Sequence, residues 1–332
     1  TNKSKNRETM DEEVLIDFGA PKQAASITII GVGGGGGNAV NRMYREGVQY
    51  VNFIVCNSDR QDLEEKSPIP NKIALGPGEG CGSDPELGEE YAKEKSAEIQ
   101  EKLQGTQMLF IAAGMGGGTG TGAAPVIAEI AKGMGILTVG IVTLPYKFEG
   151  PARMESAIRG VEALSQNVDS ILIINNETLR NLYGELKLRE TWAKADETLA
   201  TAAKAIADIM QKTGFVNVDF RDVKAVLKDS GDVVMAYGKA SGDNRAKDAL
   251  ASALDSPLLL QSHLAGAKAM LLNIMTSSSK QLLTKELNEI EDCLRKQKGV
   301  DKSTKLVMGL MIDDSLGEAL SVTIVATGLK PE

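Results

Sequence analysis

An α/β chain is predicted, with an N-terminal Rossmann-like parallel sheet domain, a long central helix and a smaller C-terminal α/β domain. Three observations carry this. Short apolar runs alternate with helical patterns through the first half of the chain. Two of those runs end directly in glycine clusters that precede helices, "SITIIGVGGGGGNAV" and "MLFIAAGMGGGTGTGAAP". An alanine-rich pattern over 189–213, with apolar positions every three or four residues, then separates a second and shorter alternation.

Element by element, residues 1–25 are polar, charged and aperiodic, which predicts a disordered arm. A strand from 26 runs into the first glycines and a helix, and "VNFIVCNSD" (51–59) is a second strand. A loop rich in Pro and Gly follows, then one charged surface helix over 89–105. "MLFIAAG" has the apolar run of a strand buried on both faces, and "APVIAEIAKGMG" after the second glycine cluster is helical. Strands at 136–145 and 168–176 flank the helix "PARMESAIRGVEALSQN". Gly214 is expected to end the long helix. Beyond it come a helix over 243–255, the strands "AMLLNIMTS", "KLVMGLMID" and "ALSVTIVATGL", and a charged helix over 284–298. The domain boundaries expected are 1–25 for the arm, 26–188 for the first domain, 189–213 for the helix and 214–330 for the second domain.

Composition narrows the function. A net charge of −8 offers no basic field for nucleic acid, and aromatics at 4% are too few for a base-stacking platform. The cysteines Cys56, Cys81 and Cys293 are odd in number and show no CxxC, which points to a reducing compartment and no structural zinc. His263 is the single histidine, so catalysis has to use carboxylates, backbone and metal. No apolar run reaches the length of a membrane span, and no membrane insertion is expected. The first residue is Thr1, as in a processed or shortened chain, and the cytoplasm is the expected location.

Glycines between a strand and a helix present bare N–H groups to an anion at the positive end of the helix. Taken alone, Gly31, Gly33 and Gly36 satisfy G-x-G-x-x-G, with Asp59 closing the next strand, so a dinucleotide-dependent oxidoreductase is one reading and a simple tight turn another. The second cluster favours a nucleotide triphosphate, because a Rossmann domain needs only one cradle. No GxxxxGK[ST] is present, so the charge of a triphosphate falls to amides, helix dipoles and Mg²⁺.

"GVGGGGGNAVNRM", "FIAAGMGGGTGTGAAPVIAEIAK", "GILTVGIVTLPYKFEG" and "NVDFRDV" together resemble the tubulin/FtsZ GTPase superfamily, whose signature is "GGGTGTG". The resemblance covers about residues 26–329 and implies the tubulin/FtsZ fold, with a GTPase domain first. It implies GTP and GDP as ligands. Their phosphates would lie against Gly34, Gly35, Gly36, Gly37 and Asn38 and against Gly117, Gly118, Thr119, Gly120 and Thr121. It also implies Glu149 at the ribose hydroxyls, Arg153 near ribose and phosphates, Asn176 at the purine edge, and Trp192 with Asp196 at the base. A carboxylate accepting from N1–H and N2–H₂ selects guanine over adenine, which offers no such donor pair. Without the resemblance, Glu149 and Arg153 read as an i, i+4 ion pair, and Trp192 as a core anchor.

Asp219 and Asp222 alone read as a helix cap. The resemblance instead implies that they, with Asn217, orient the attacking water in the next subunit of a head-to-tail filament. The long helix keeps them from the nucleotide of their own chain. A non-catalytic structural filament would keep the loops and lose these acids. Mg²⁺ is expected to be held mainly through the nucleotide's phosphates, with Asp219 and Asp222 of the adjacent subunit as candidate ligands and K⁺ as a further cation. The implied setting is the cytokinetic ring at mid-cell, on the inner face of the membrane. Division proteins and membrane tethers would be reached through a C-terminal peptide not present in these residues. The match is poorest over 73–88, where the loop is short and carries Cys81 and Asp84, and its γ-phosphate contacts are the least defined part of the expectation.

Overall fold

Runs dense in Ile, Val and Leu with almost no charge can only be buried on both faces, and they form one parallel layer here. The computed structural model describes residues 27–329 except 49, 212–213, 257–258, 260–263, 265, 298–299 and 301–302; the expected arm over 1–25 and His263 lie outside the described residues. The layer comprises β1 (Ile27–Val32), β2 (Val51–Asn57), β3 (Lys72–Ala74), β4 (Met108–Gly114), β5 (Leu137–Leu144) and β6 (Ser170–Asn175). These run parallel in the order β3-β2-β1-β4-β5-β6. The chain leaves β1 toward β2 on one side and returns to β4 on the other. The crevice beyond the carboxyl ends of β1 and β4 is therefore a topological switch point, the place where open α/β sheets bind ligands.

Helices cover both faces. α1 (Gly33–Arg45), α6 (Asn176–Leu182) and the 24-residue α7 (Leu188–Gln211) pack on one, through Val40, Met43, Leu179 and Leu199. α2 (Pro85–Glu94), α3 (Ser96–Lys102), α4 (Gly118–Gly133) and α5 (Pro151–Ser165) cover the other, through Ala92, Ile99, Ile127 and Leu164. The single helix expected over 89–105 is thus two. Asp84 starts the first by accepting from Glu86 N at 2.9 Å, ahead of a proline at the first helical position, and the break falls at Lys95 (φ −95°, ψ 10°).

After α7 come β7 (Gly214–Val216), α8 (Phe220–Leu227), β8 (Gly231–Ala240), α9 (Arg245–Leu254), β9 (Ala269–Thr276), α10 (Thr284–Arg295), β10 (Lys305–Ile312) and β11 (Leu320–Thr327). Gly214 does not cap the helix. It pairs with Met311 as a strand residue without positive φ, and a Cβ there would lie 2.0 Å from the Leu310 carbonyl oxygen. β8 escaped the sequence reading because Gly238 and its small neighbours break the β-branched pattern. It joins the two halves: Ser170 and Ile171 of β6 pair with Gly231 and Asp232, and the hydrogen-bonded order continues β6-β8-β11-β9-β10-β7.

α7 lies against strands of both halves, and its small faces (Ala195, Ala202, Ala203, Ala207) share one apolar cluster with Ile29 and Phe110 of the first and Leu271 and Val325 of the second. Alanine lets the helix approach both layers closely. The outer face of the second sheet is closed by α9 and α10. There the buried Arg245 donates to both Glu286 carboxylate oxygens (2.7 and 3.1 Å) and to the carbonyls of Lys280, Gln281 and Glu318. Those bonds use the full fork of the guanidinium, which is what makes its burial tolerable.

Candidate functional site: a glycine-lined pocket at the sheet switch point

β1 and β4 are neighbours in register, Val32 beside Ala113; β1 runs directly into the all-glycine first turn of α1, and β4 reaches the Gly/Thr first turn of α4 through the turn 115–117. Most of the glycines are helical, only Gly116 and Gly117 forming a turn ahead of α4. Gly33–Gly37 are the first turn and a half of α1, and Gly118–Gly122 the first turn of α4, so both helix N-termini aim their free N–H groups at one crevice. Gly33 makes the entry by taking φ +70°, a conformation costly for other residues. No acidic residue sits in the first turn of either helix, so the positive ends carry no internal counter-charge.

The crevice encloses about 270 Å³. Its backbone-lined wall is formed by Gly33, Gly34 and Gly35 from α1 and by Gly117, Gly118, Thr119 and Gly120 from the signature turn. Gly37 and Asn38 border a narrow recess that continues from it past Gly33 and Gly34. Gly36 and Thr121 face away from the crevice: Gly36 is pressed on β4, and the Thr121 hydroxyl accepts from Gly116 N at 2.8 Å, holding the turn in shape.

The rest of the lining is polar and charged, and Arg153 packs beside Gly116 and Gly117 of the signature turn. Glu149 and Arg153 both line the pocket and also pair with each other at 3.0 Å, so the ion pair and the site are the same object. Glu149 further accepts from Tyr146 N at 2.9 Å, which fixes the rim. Asn176 lines the pocket too, and its buried Oδ1 has no hydrogen-bond partner. An orphaned acceptor of that kind fits a ligand carrying N–H or O–H groups, such as a nucleoside. Taken with the uncompensated amides of two helices, the donor set fits a nucleoside polyphosphate.

Trp192 and Asp196 stand one turn apart on α7 beside the Tyr146 rim, rather than in the pocket wall; Trp192 is half exposed. The Tyr146 hydroxyl donates to the Thr191 carbonyl at 3.5 Å, docking α7 on the rim. Burial, with Glu149, Asp196 and Glu177 nearby, pushes that phenol up to about 12. Burial also raises the Asp196 carboxyl to about 6, against a smaller opposing pull from Arg42.

Asn217, Asp219 and Asp222 are not brought to the pocket. They follow α7, whose 24 residues span about 36 Å. Asp219 Oδ1 accepts from Asp222 N at 2.9 Å and Asp222 Oδ2 from Asp219 N at 3.3 Å, a complete capping box on α8. Asn217 Oδ1 accepts from Gly214 N at 2.7 Å. Val218 is buried against the C-terminal sheet and anchors the turn, leaving both carboxylates exposed or nearly so at the molecular surface.

Gly114, Met115, Thr143 and Pro145 line the pocket and were not singled out from the sequence, and Gly33, which lines it too, was not named as a phosphate contact. Gly33 was visible as part of the G-x-G-x-x-G spacing. Thr143 and Pro145 sit at the end of β5, a strand whose composition signals burial and nothing else. Among the described residues no cluster of three or more His, Cys, Asp or Glu is arranged to hold a metal, and no helix is long and apolar enough to cross a membrane.

Residues 26–184 match the family described as Tubulin/FtsZ family, GTPase domain, and residues 231–330 match FtsZ family, C-terminal domain. A Porphyromonas gingivalis protein described as cell division protein FtsZ is 43% identical over 329 residues, 96% of this chain and 70% of that one. The Pseudomonas aeruginosa protein of the same description is 45% identical over 312 residues, covering 92% and 78%. Among solved structures, an empty FtsZ dimer of M. jannaschii superposes with a TM-score of 0.85 at 38% identity, over 92% of this chain and 89% of that one. A GTPγS-bound CetZ2 protofilament from Haloferax volcanii shares the fold with a TM-score of 0.76 at 20% identity, over 92% of this chain and 94% of that one.

Proposed function

Since this chain belongs to the FtsZ family, a GTP-binding and GTP-hydrolysing protein of cell division that polymerises, we propose that its hydrolytic site is completed between adjacent subunits. The dinucleotide-oxidoreductase reading of the first glycine cluster is thereby corrected: the same G-x-G-x-x-G spacing opens α1 in a GTPase domain.

One observation carries the proposal. Two helix N-termini converge on one pocket, while the carboxylates suited to orienting water lie beyond the far end of a helix about 36 Å long. A subunit binds phosphates with its own amides and meets the acids only by stacking head to tail, an open-ended contact that builds filaments. In this reading Gly34, Gly35, Gly37, Asn38, Gly117, Gly118, Thr119 and Gly120 hold phosphates, with Gly36 and Thr121 shaping the cradle behind them. Glu149 and Arg153 meet the ribose. Asn176, Trp192 and Asp196 meet the base. Asp219 and Asp222 of the next subunit, with Asn217, position water. Mg²⁺ would be held through the phosphates with those carboxylates nearby and would supply charge neutralisation; K⁺ is a further candidate cation. A cytoplasmic ring at mid-cell, and contacts with membrane tethers and other division proteins, belong to the same proposal.

Phosphate release from GTP measured against protein concentration tests it. Turnover per subunit is expected to be near zero at nanomolar protein and to rise steeply above a micromolar-range threshold. A constant value across that range means the site is complete within one chain, and the proposal fails.

Asp196 supplies a second test. Guanine needs the ionised carboxylate as a double acceptor, and this carboxyl titrates near 6 instead of 3.8. Affinity for GDP is therefore expected to rise with pH through 6 and level off above it, with about a tenfold loss at pH 5 relative to pH 8. For fold stability the sign is opposite. Proton uptake by the folded state alone between roughly pH 4 and 6 means this residue's destabilising contribution grows as pH rises across that window. In Asp196→Asn the drop below pH 6 should shrink to that of the phosphate's own titration, read by calorimetry on both proteins. An identical pH profile for the two would remove Asp196 from the base contact.

A further inference from the structure

Three side chains from three segments meet directly behind the signature turn. Ser58, 1% exposed, follows the end of β2; Cys81, 5% exposed, sits in the loop before α2; Thr119 opens α4 and lines the pocket. Ser58 Oγ lies 2.6 Å from Thr119 Oγ1. The Cys81 thiol donates to Ser58 Oγ at 3.3 Å, and the Thr119 hydroxyl donates to Cys81 Sγ at 3.6 Å.

Each group has one proton to give. With the thiol donating to Ser58 and Thr119 donating to sulfur, the short bond must run from the Ser58 hydroxyl to Thr119 Oγ1. The result is a closed ring whose weakest member is the Thr119–sulfur bond, because a thiol sulfur is a poor acceptor. The ring is held from outside. Ser58 O accepts from Gly80 N at 3.0 Å and Cys81 O from Asp84 N at 2.8 Å. The space beside Gly118 is filled by Cys81, whose Cβ is 2.5 Å from where a Gly118 Cβ would stand.

We propose that Ser58 and Cys81 are positioning residues for phosphate recognition, keeping Thr119 polarised as a donor toward the pocket. This rests on the nucleotide reading of that pocket. The Thr119 proton is parked on sulfur, and an anionic phosphate oxygen, a far better acceptor, takes it. Ser58 goes on donating to Thr119 Oγ1, which strengthens the outgoing bond by polarisation. The short loop over 75–84 thus acts on the ligand through Cys81 and Ser58, from behind the phosphate cradle.

A binding cycle decides it. GDP affinity is measured for the native chain, Ser58→Ala, Thr119→Val and the double variant. Ser58→Ala is expected to weaken GDP about three- to tenfold, and to add no further loss once Thr119 lacks its hydroxyl. A purely structural Ser58 gives additive losses, and additivity overturns the proposal. A second readout is taken on the native protein: the S–H stretch of Cys81, assigned by its absence in Cys81→Ala. It is expected to shift when GDP binds, because the thiol loses its incoming donor. An unmoved band overturns the relay even if GDP binds, whereas no GDP binding by the native chain overturns the nucleotide reading and the relay with it.

Discussion

Asp219→Asn is expected to leave GTP affinity within about twofold while lowering turnover at filament-forming concentration by about a hundredfold or more, the scale of a lost water-orienting or proton-accepting group. The choice of asparagine follows from the capping box. Asp219 Oδ1 receives the Asp222 N–H at 2.9 Å, and asparagine keeps an oxygen for that bond. Asp219→Ala removes the cap as well and should cost about 1 kcal/mol of stability. Denaturation curves that match for the native chain and Asp219→Asn, together with phosphate release that does not, isolate the chemical role from the structural one. If the asparagine variant turned over GTP at the native rate, capping would be the whole purpose of these acids. A corollary concerns mixtures. Each variant subunit silences the site of its neighbour, so adding Asp219→Asn to native protein should depress turnover more than simple dilution does.

The second large effect is expected at Gly36. A methyl there would sit 2.0 Å from the Ala112 carbonyl oxygen, on the central strand β4, where backbone rather than a yielding side chain is in the way. Gly36→Ala should cost more than about 3 kcal/mol or prevent folding, by overpacking at the helix–sheet contact. Gly37 is the natural control. It follows in the same helix turn, and a Cβ there meets nothing within 4 Å. Gly37→Ala is expected to gain up to about 1 kcal/mol from helix propensity and to weaken GDP binding, because the methyl enters the space beside the phosphate recess. Chemical denaturation and calorimetry on the pair read both quantities. Native-like stability for Gly36→Ala would mean that α1 does not ride on β4 as closely as drawn.

These two glycines show where the sequence could be read and where it could not. From the sequence, adjacent glycines of one cluster are equivalent, and Gly34, Gly35, Gly36 and Gly37 were assigned alike to phosphate. The fold divides them: Gly36 lets the helix lie on the strand, Gly33 turns the chain into it, and Gly34, Gly35 and Gly37 are left toward the crevice. The glycine runs were read as loops, yet Gly33–Gly37 and the stretch from Gly118 are helical, because the cost of glycine in a first turn is offset by the close approach it permits; only Gly116 and Gly117 form a turn. Glu149 and Arg153 were left between an ion pair and a site, and they are an ion pair lining the pocket. For Asp219 and Asp222 the cap is likewise formed in full, and only their position relative to a second subunit gives them other work. No local pattern linked Ser58 and Cys81 to Thr119, which lies 61 and 38 residues away from them in the chain.

Sequence alone determined the alternation of strands and helices in the first half of the chain, the two glycine-opened helices and the length of the central one. Those properties are local: burial pattern, backbone freedom and composition act within a few residues of themselves. Only the tertiary structure decided which amides face a common crevice, which glycines are there for packing, and that Ser58, Cys81 and Thr119 form one hydrogen-bonded ring. Each of those depends on segments brought together across the sheet, where an ångström of approach separates a contact from a clash, and no local pattern records that distance.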